Sequence, residues 1–241
     1  MVKRVKPRPL DVEAVLKRGS LPEATATLRR LVADDDQLAG LLLQGVDGPW
    51  RDLMTPTRCA GALVMLGASG VLLDHCLDVA DDWVQQDDEL ADAGHRGVFG
   101  VLGATLDEAG WRRLLQALGD ADTVEAPRPS WPLWVAVLAD CGERGLRDEQ
   151  AWAWLGRVLD DTPPLWCIYA GGYGDARAIP ILQALLRGTA ERALDATGPR
   201  GEDDDVVIES GQALERLGAL DEEARSLLAR HQQALAARGA G

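Results

Sequence analysis

Few side chains in this 241-residue chain could carry covalent or metal chemistry: three histidines, His75, His95 and His231, and four cysteines, Cys59, Cys76, Cys141 and Cys167. A zinc site needs several such ligands converging, commonly from C-x-x-C pairs or from histidines at helical spacing. No C-x-x-C pair occurs. The one mixed cluster, His75, Cys76 and Asp78, puts His75 and Asp78 on one face of a helix and Cys76 off it, so it offers at most two well-placed ligands. No metal site is expected, and the cysteines are expected to be buried, reduced thiols. A G-x-S-x-G elbow, a P-loop and a dinucleotide fingerprint are all missing. The glycine-rich stretches "GVFGVLGATL" and "YAGGYGDARA" lack the preceding strand that would make their amides a phosphate cradle. The expectation is therefore a protein without catalytic residues or cofactor.

Binding chemistry is better supplied. All eight tryptophans lie between Trp50 and Trp166, five of them from Trp131 onward. Trp131 and Trp134 share a helical face, whereas Trp152 and Trp154 point about 200° apart, so one of that pair should leave the core. Tryptophan carries much apolar surface on few rotors and is enriched at interface hot spots. Carboxylates cluster at Asp34 to Asp36, at Asp81, Asp82, Asp87, Asp88, Glu89 and Asp92, and at Glu202 to Asp205. The middle cluster flanks Trp83 and would form an acidic edge able to steer a basic partner. The candidate partner-binding residues are Trp83, Trp111, Trp152, Trp154, Asp81, Asp82, Asp87 and Asp88. Core filling and a solvated face are the plainer roles for the same residues.

The charge balance narrows the partner. Asp plus Glu is 39 against 25 Lys plus Arg, a net charge of −14, which is the wrong sign for gripping phosphate backbones. No nucleic-acid partner is expected. The first thirty residues run against this trend, with eight basic and three acidic groups, and such a head could lie on the acidic body. Arginine outnumbers lysine heavily and asparagine is absent, a usage expected of a GC-rich, bacterial genome. The start, "MVKRVKPRPLDVEAVL", turns to Pro and Asp where a secretion signal would be apolar, and the longest apolar stretch, 61–73, is too short to span a bilayer. A cytoplasmic location and no membrane partner are expected.

The elements that must position these groups are helices. The chain has 37 Leu and 35 Ala against 4 Ile, 2 Tyr and 1 Phe, so strand formers are scarce. Helix starts are marked by Ser, Thr or Asp ahead of Pro or of an apolar rhythm: the Ser20 to Glu23 capping box, Ser130, Thr162-Pro163, Asp175 and Asp221. Thirteen helices are predicted, at about 10–18, 21–33, 35–45, 57–67, 70–86, 91–104, 107–118, 131–141, 147–159, 163–171, 175–188, 206–217 and 221–237. Segment 119–130 reads as a Pro-containing linker and 197–206 as an acidic loop, with a short extra helix at 190–196. Pairs closed by tight turns near Gly67, Leu106, Gly142, Gly174 and Gly218 recur every 30 to 45 residues or so, the spacing of an α-solenoid.

One pair makes the pattern specific. In "GYGDARAIPILQALL", Gly174, Asp175, Ala178, Ile179, Pro180 and Leu182 match a glycine turn, an Asp that opens a helix, and an A-[IV]-P-x-L run. This segment resembles the HEAT-like repeats of the phycobilisome-lyase type. "RCAGALVMLGASG" and "ESGQALERLGALDEEARSLL" are similar in weaker form, and the resemblance extends over about 57–237. It implies an all-α, right-handed α-solenoid of about five helix pairs, 57–237, continuous with an N-terminal helical cap at 10–56 behind a basic head at 1–9. No His-Glu dipeptide occurs, which removes the di-iron hydroxylases built on such repeats. The acidic body argues against the glycosylases. The function expected is a non-enzymatic protein-protein interaction module that binds through its concave face. The alternatives are an immunity or inhibitor protein that covers a basic toxin or nuclease, and a lyase-like enzyme on the same scaffold.

Overall fold

A computed structural model describes residues 11–48, 54–85, 89–121, 123–124, 129–196 and 198–239. The basic head and the candidates Asp87 and Asp88 lie outside these residues. Among the described residues there are thirteen helices and no strand. In chain order they are α1 (Val12–Leu16), α2 (Leu21–Leu31), α3 (Asp35–Asp47), α4 (Met54–Met65), α5 (Ser69–Val84), α6 (Glu89–Thr105), α7 (Glu108–Leu118), α8 (Trp131–Glu143), α9 (Glu149–Asp161), α10 (Pro163–Tyr173), α11 (Ala178–Asp195), α12 (Glu202–Arg216) and α13 (Glu222–Gly239).

The chain divides into two compact units, the first ending at Leu106 and the second starting at Asp107. Within the first unit α1, α2 and α3 all pack on α4. Within each unit packing is solenoid-like. Most packing is between a helix and its neighbour in the chain or the next but one, α1 also reaching α4: α2, α4 and α6 form one row and α1, α3 and α5 another, while α8, α10 and α12 form a row with α11 and α13 beside it. Apolar residues at helical spacing explain the layering. On α7 Trp111, Leu114, Leu115 and Leu118 are buried, and on α9 Ala151, Trp154, Leu155 and Val158.

Helix ends follow their capping chemistry. The Glu23 carboxylate accepts from the Ser20 amide at 3.1 Å, Asp148 caps α9 through the Gln150 amide at 2.7 Å, and Asp221 accepts from the Ala224 amide at 2.8 Å. After α4, α8 and α12 the same turn recurs: a glycine at positive φ (Gly67, Gly145, Gly218), with the next amide returning to a carbonyl five residues back, Ala68 to Leu63, Leu146 to Cys141 and Ala219 to Leu214. Two expectations near the C-terminus change. The extra helix at 190–196 is the end of α11, which runs unbroken to Asp195, and the carboxylates Glu202 to Asp205 are the first turn of α12 rather than a loop. Four acids favour that position because the helix dipole is positive there.

Small residues set the closest approach in the second unit. A Cβ on Gly171 of α10 would stand 2.9 Å from the Ala213 Cβ and 3.0 Å from its Cα on α12, whereas one on Gly172 would meet nothing within 4 Å. Gly171→Ala is therefore expected to destabilise by about 1–3 kcal/mol through overpacking. Gly172→Ala should leave stability unchanged or raise it by up to about 1 kcal/mol. Urea denaturation of both variants checks the pair, and equal midpoints would contradict the close approach.

Candidate functional site

The four candidate tryptophans do not form one surface. Trp83 is buried on α5, stacked on His95 of α6 with ring centroids 4.2 Å apart and edge-on to Phe99. Its inward position leaves the expected acidic and aromatic edge without its aromatic member, since Asp82 is exposed and Asp81 half-buried beside it. Trp111 is buried on α7 at the wall of an open groove of about 720 Å³ that Arg112, Arg147, Asp148 and Gln150 also line. Trp154 is buried on α9 and donates its indole N–H to the Gly119 carbonyl at 3.0 Å. Gln150 donates to the Leu115 carbonyl and Arg157 to the Ala121 and Val124 carbonyls, so α9 holds the end of α7 and the segment after it through three side chains. These three tryptophans are core residues, which overrides their assignment as surface anchors.

Trp152 is the exception. Half-buried on α9, it points away from Trp154, as their spacing requires. Its ring meets Trp166 at 6.5 Å and Tyr173 at 6.2 Å between centroids, both from α10. Above it lies the guanidinium of Arg177, 4.8 Å from the ring centroid. Arg177 is held in turn by Asp175, which accepts from Nε at 3.0 Å and from Nη2 at 2.7 Å, and by Glu149, which accepts from Nη1 at 2.6 Å. The hydrogen bonds from Arg177 hold the Asp175 carboxyl below its usual range, and the two carboxylates raise the guanidinium.

The scaffold under this platform is tied together by side-chain hydrogen bonds to backbone. The Tyr173 hydroxyl accepts from the Asp148 amide at 2.8 Å and donates to the Asp148 carbonyl at 3.1 Å. Arg147 Nε donates to the carbonyls of Gly142 at 3.1 Å and Tyr173 at 2.9 Å, so one side chain joins the ends of α8 and α10. Neither Tyr173, Arg147 nor Arg177 stood out in the sequence. The glycine turns beside them were the only signal.

The remaining reactive groups are placed for structure. All four cysteines are free and buried. Burial raises the Cys141 thiol and, with the Glu209 charge, pushes Cys167 up to about 12; burial and Asp47 raise Cys76. A thiol so far from ionising is a poor nucleophile or ligand. His75 pairs with Asp47 at 2.7 Å rather than with Asp78, and among the described residues no three His, Cys, Asp or Glu converge on a metal position. No described helix is long and apolar enough to cross a membrane.

A buried cluster not foreseen from the sequence joins α12 to α13. Asp204 accepts from His231 Nε2 at 2.7 Å, from the Gly201 amide at 2.9 Å and from Arg238. Burial pushes the Asp204 carboxyl up, but Arg238, the Gly201 amide and His231 together outweigh it and bring the group to about 2.

A carboxylate whose pKa falls on folding contributes stability above its unfolded pKa, about 4, and loses it as the pH drops through the folded value. Wild type should therefore lose stability as the pH falls from about 4 through about 2. Asp204→Asn should cost about 1–3 kcal/mol at neutral pH by leaving the partly buried Arg238 and the buried His231 without their carboxylate, and should flatten that fall. Urea titrations at several pH values check both, and a parallel pair of pH curves would refute the role given to Asp204. No family model, curated protein or solved structure matches the chain.

Proposed function

We propose that the chain is a non-enzymatic protein-binding module whose contact surface is the edge of the second unit around Trp152, and that its partner is basic. The observation that carries this reading is the Trp152 platform: a half-exposed indole, backed by Trp166 and Tyr173 and edged by Glu149, Asp175 and Arg177. A tryptophan already backed in place by two other rings loses little freedom on binding, which is what an interface anchor requires. The surplus of carboxylates favours a basic partner, because complementary charge speeds encounter and disfavours acidic competitors. An inhibitor that covers a basic toxin or nuclease is one form of the same activity, distinguished by one-to-one binding that abolishes the target's activity.

The test separates the two tryptophans of α9. Trp152→Ala should weaken partner capture from the native lysate by about 2 kcal/mol or more, roughly thirtyfold, with little change in melting temperature. Trp154→Ala should instead destabilise the fold by about 3–5 kcal/mol. Capture is expected to weaken in high salt, as charge pairing across an exposed edge is screened. Retention of an equally bound partner by Trp152→Ala would overturn the assignment.

A further inference from the structure

Arg177 occupies a site that has the chemistry of a guanidinium receptor. One wall is the Trp152 ring, 4.8 Å from the guanidinium carbon; the others are the carboxylates of Asp175 and Glu149, which between them accept from Nε and both terminal nitrogens. A ring face plus carboxylates arranged around a planar fork fits arginine and not lysine, whose compact ammonium can neither stack nor bind in a bidentate manner. The occupant comes from the same chain. Arg177 follows the Gly174 turn by three residues, and its backbone amide donates to Asp175 Oδ1 at 2.9 Å, the oxygen that also accepts from Nε, a backbone bond that stays in place when the side chain leaves. Its side chain can therefore leave without unmaking the start of α11.

We propose that Arg177 is an exchangeable internal stand-in, and that an arginine side chain of the basic partner displaces it from the cage of Trp152, Glu149 and Asp175. The exchange conserves the contacts: one guanidinium leaves two carboxylates and a ring, and another takes the same three. Arg177 and Glu149 are both exposed, so the departing guanidinium is rehydrated at once and the swap carries little desolvation cost. Arg177 thus closes the cage against weak single cations and yields to an arginine that the rest of an interface holds in place.

This inference rests on the protein-binding reading, but its test needs no partner. The probe is N-acetyl-arginine methylamide, titrated while the Trp152 indole N–H resonance is followed by NMR, with the lysine analogue as control. In Arg177→Ala the cage is vacated, and the arginine probe should bind about tenfold or more tightly than to wild type and than the lysine probe does. Binding, followed by calorimetry where the indole is absent, should be lost again when Trp152→Ala or Glu149→Gln is added to Arg177→Ala, while melting temperature shows that each variant is folded. Equal affinity in wild type and Arg177→Ala, no saturable shift, or equal binding of arginine and lysine would each overturn the proposal. A chain that captures no protein while its Arg177→Ala variant binds the arginine probe would count against the binding-module reading alone.

Discussion

The second unit depends on how its tight turns satisfy the carbonyls at helix ends. An α-helix leaves its last carbonyls without internal partners, and a short reversal gives them few neighbours to use. After α8 the left-handed Gly145 returns two amides to that helix, from itself to Gly142 and from Leu146 to Cys141. Arg147 then supplies Nε to both Gly142 and Tyr173, so the ends of α8 and α10 share one donor. Tyr173, fixed at that end, holds both backbone groups of Asp148, the cap of α9. Trp152 lies one turn further along α9, and its position is inherited from this chain of hydrogen bonds. A binding platform arises here as a consequence of solving the backbone problem.

Packing between helices uses two opposite devices. Where α10 meets α12, Gly171 lets backbones approach until no Cβ fits. Elsewhere in the unit Trp134, Trp154 and Trp166 are fully buried and fill the space between helices with large rings. The unit provides an acceptor for two of these indole N–H groups, Ser130 for Trp134 and the Gly119 carbonyl for Trp154, whereas that of Trp166 is buried without one. The concentration of tryptophan in one stretch of the chain thus reflects spacing between layers more than display to a partner. Among the described residues Trp131 and Trp152 are the half-buried tryptophans, and Trp152 is the one that a guanidinium covers.

What the sequence revealed follows from the range of each signal. Capping residues, Pro and apolar periodicity act within four or five residues, and they placed twelve of the thirteen helices within about four residues of their observed ends, α11 running seven residues past its predicted one. The opposed directions of Trp152 and Trp154 are equally local, a matter of helical pitch, and the structure bears them out. The fates of Trp83 and Trp111 are not local: Trp83 turns inward because His95 and Phe99 come from another helix to receive it. Arg147 and Arg177 are likewise defined by partners across turns, 26 and 28 residues away in the chain. Glu202 to Asp205 looked like a solvated run because composition does not say which member of a helical turn faces inward.

That last case sets the two ion clusters of the second unit against each other. Asp204 of α12 meets Arg238 and His231 of α13 where the carboxylate is 3% and the arginine side chain 11% exposed, so that either charge alone would be costly and neither group is readily exchanged. Asp175, Glu149 and Arg177 make bonds of the same type and comparable length at the surface, where water competes for every one of them. Chemistry does not distinguish the pairs; dielectric does. The buried cluster locks one helix to another, and the exposed one holds an arginine against an aromatic ring only as firmly as solvent allows, which is the condition under which another arginine can take its place.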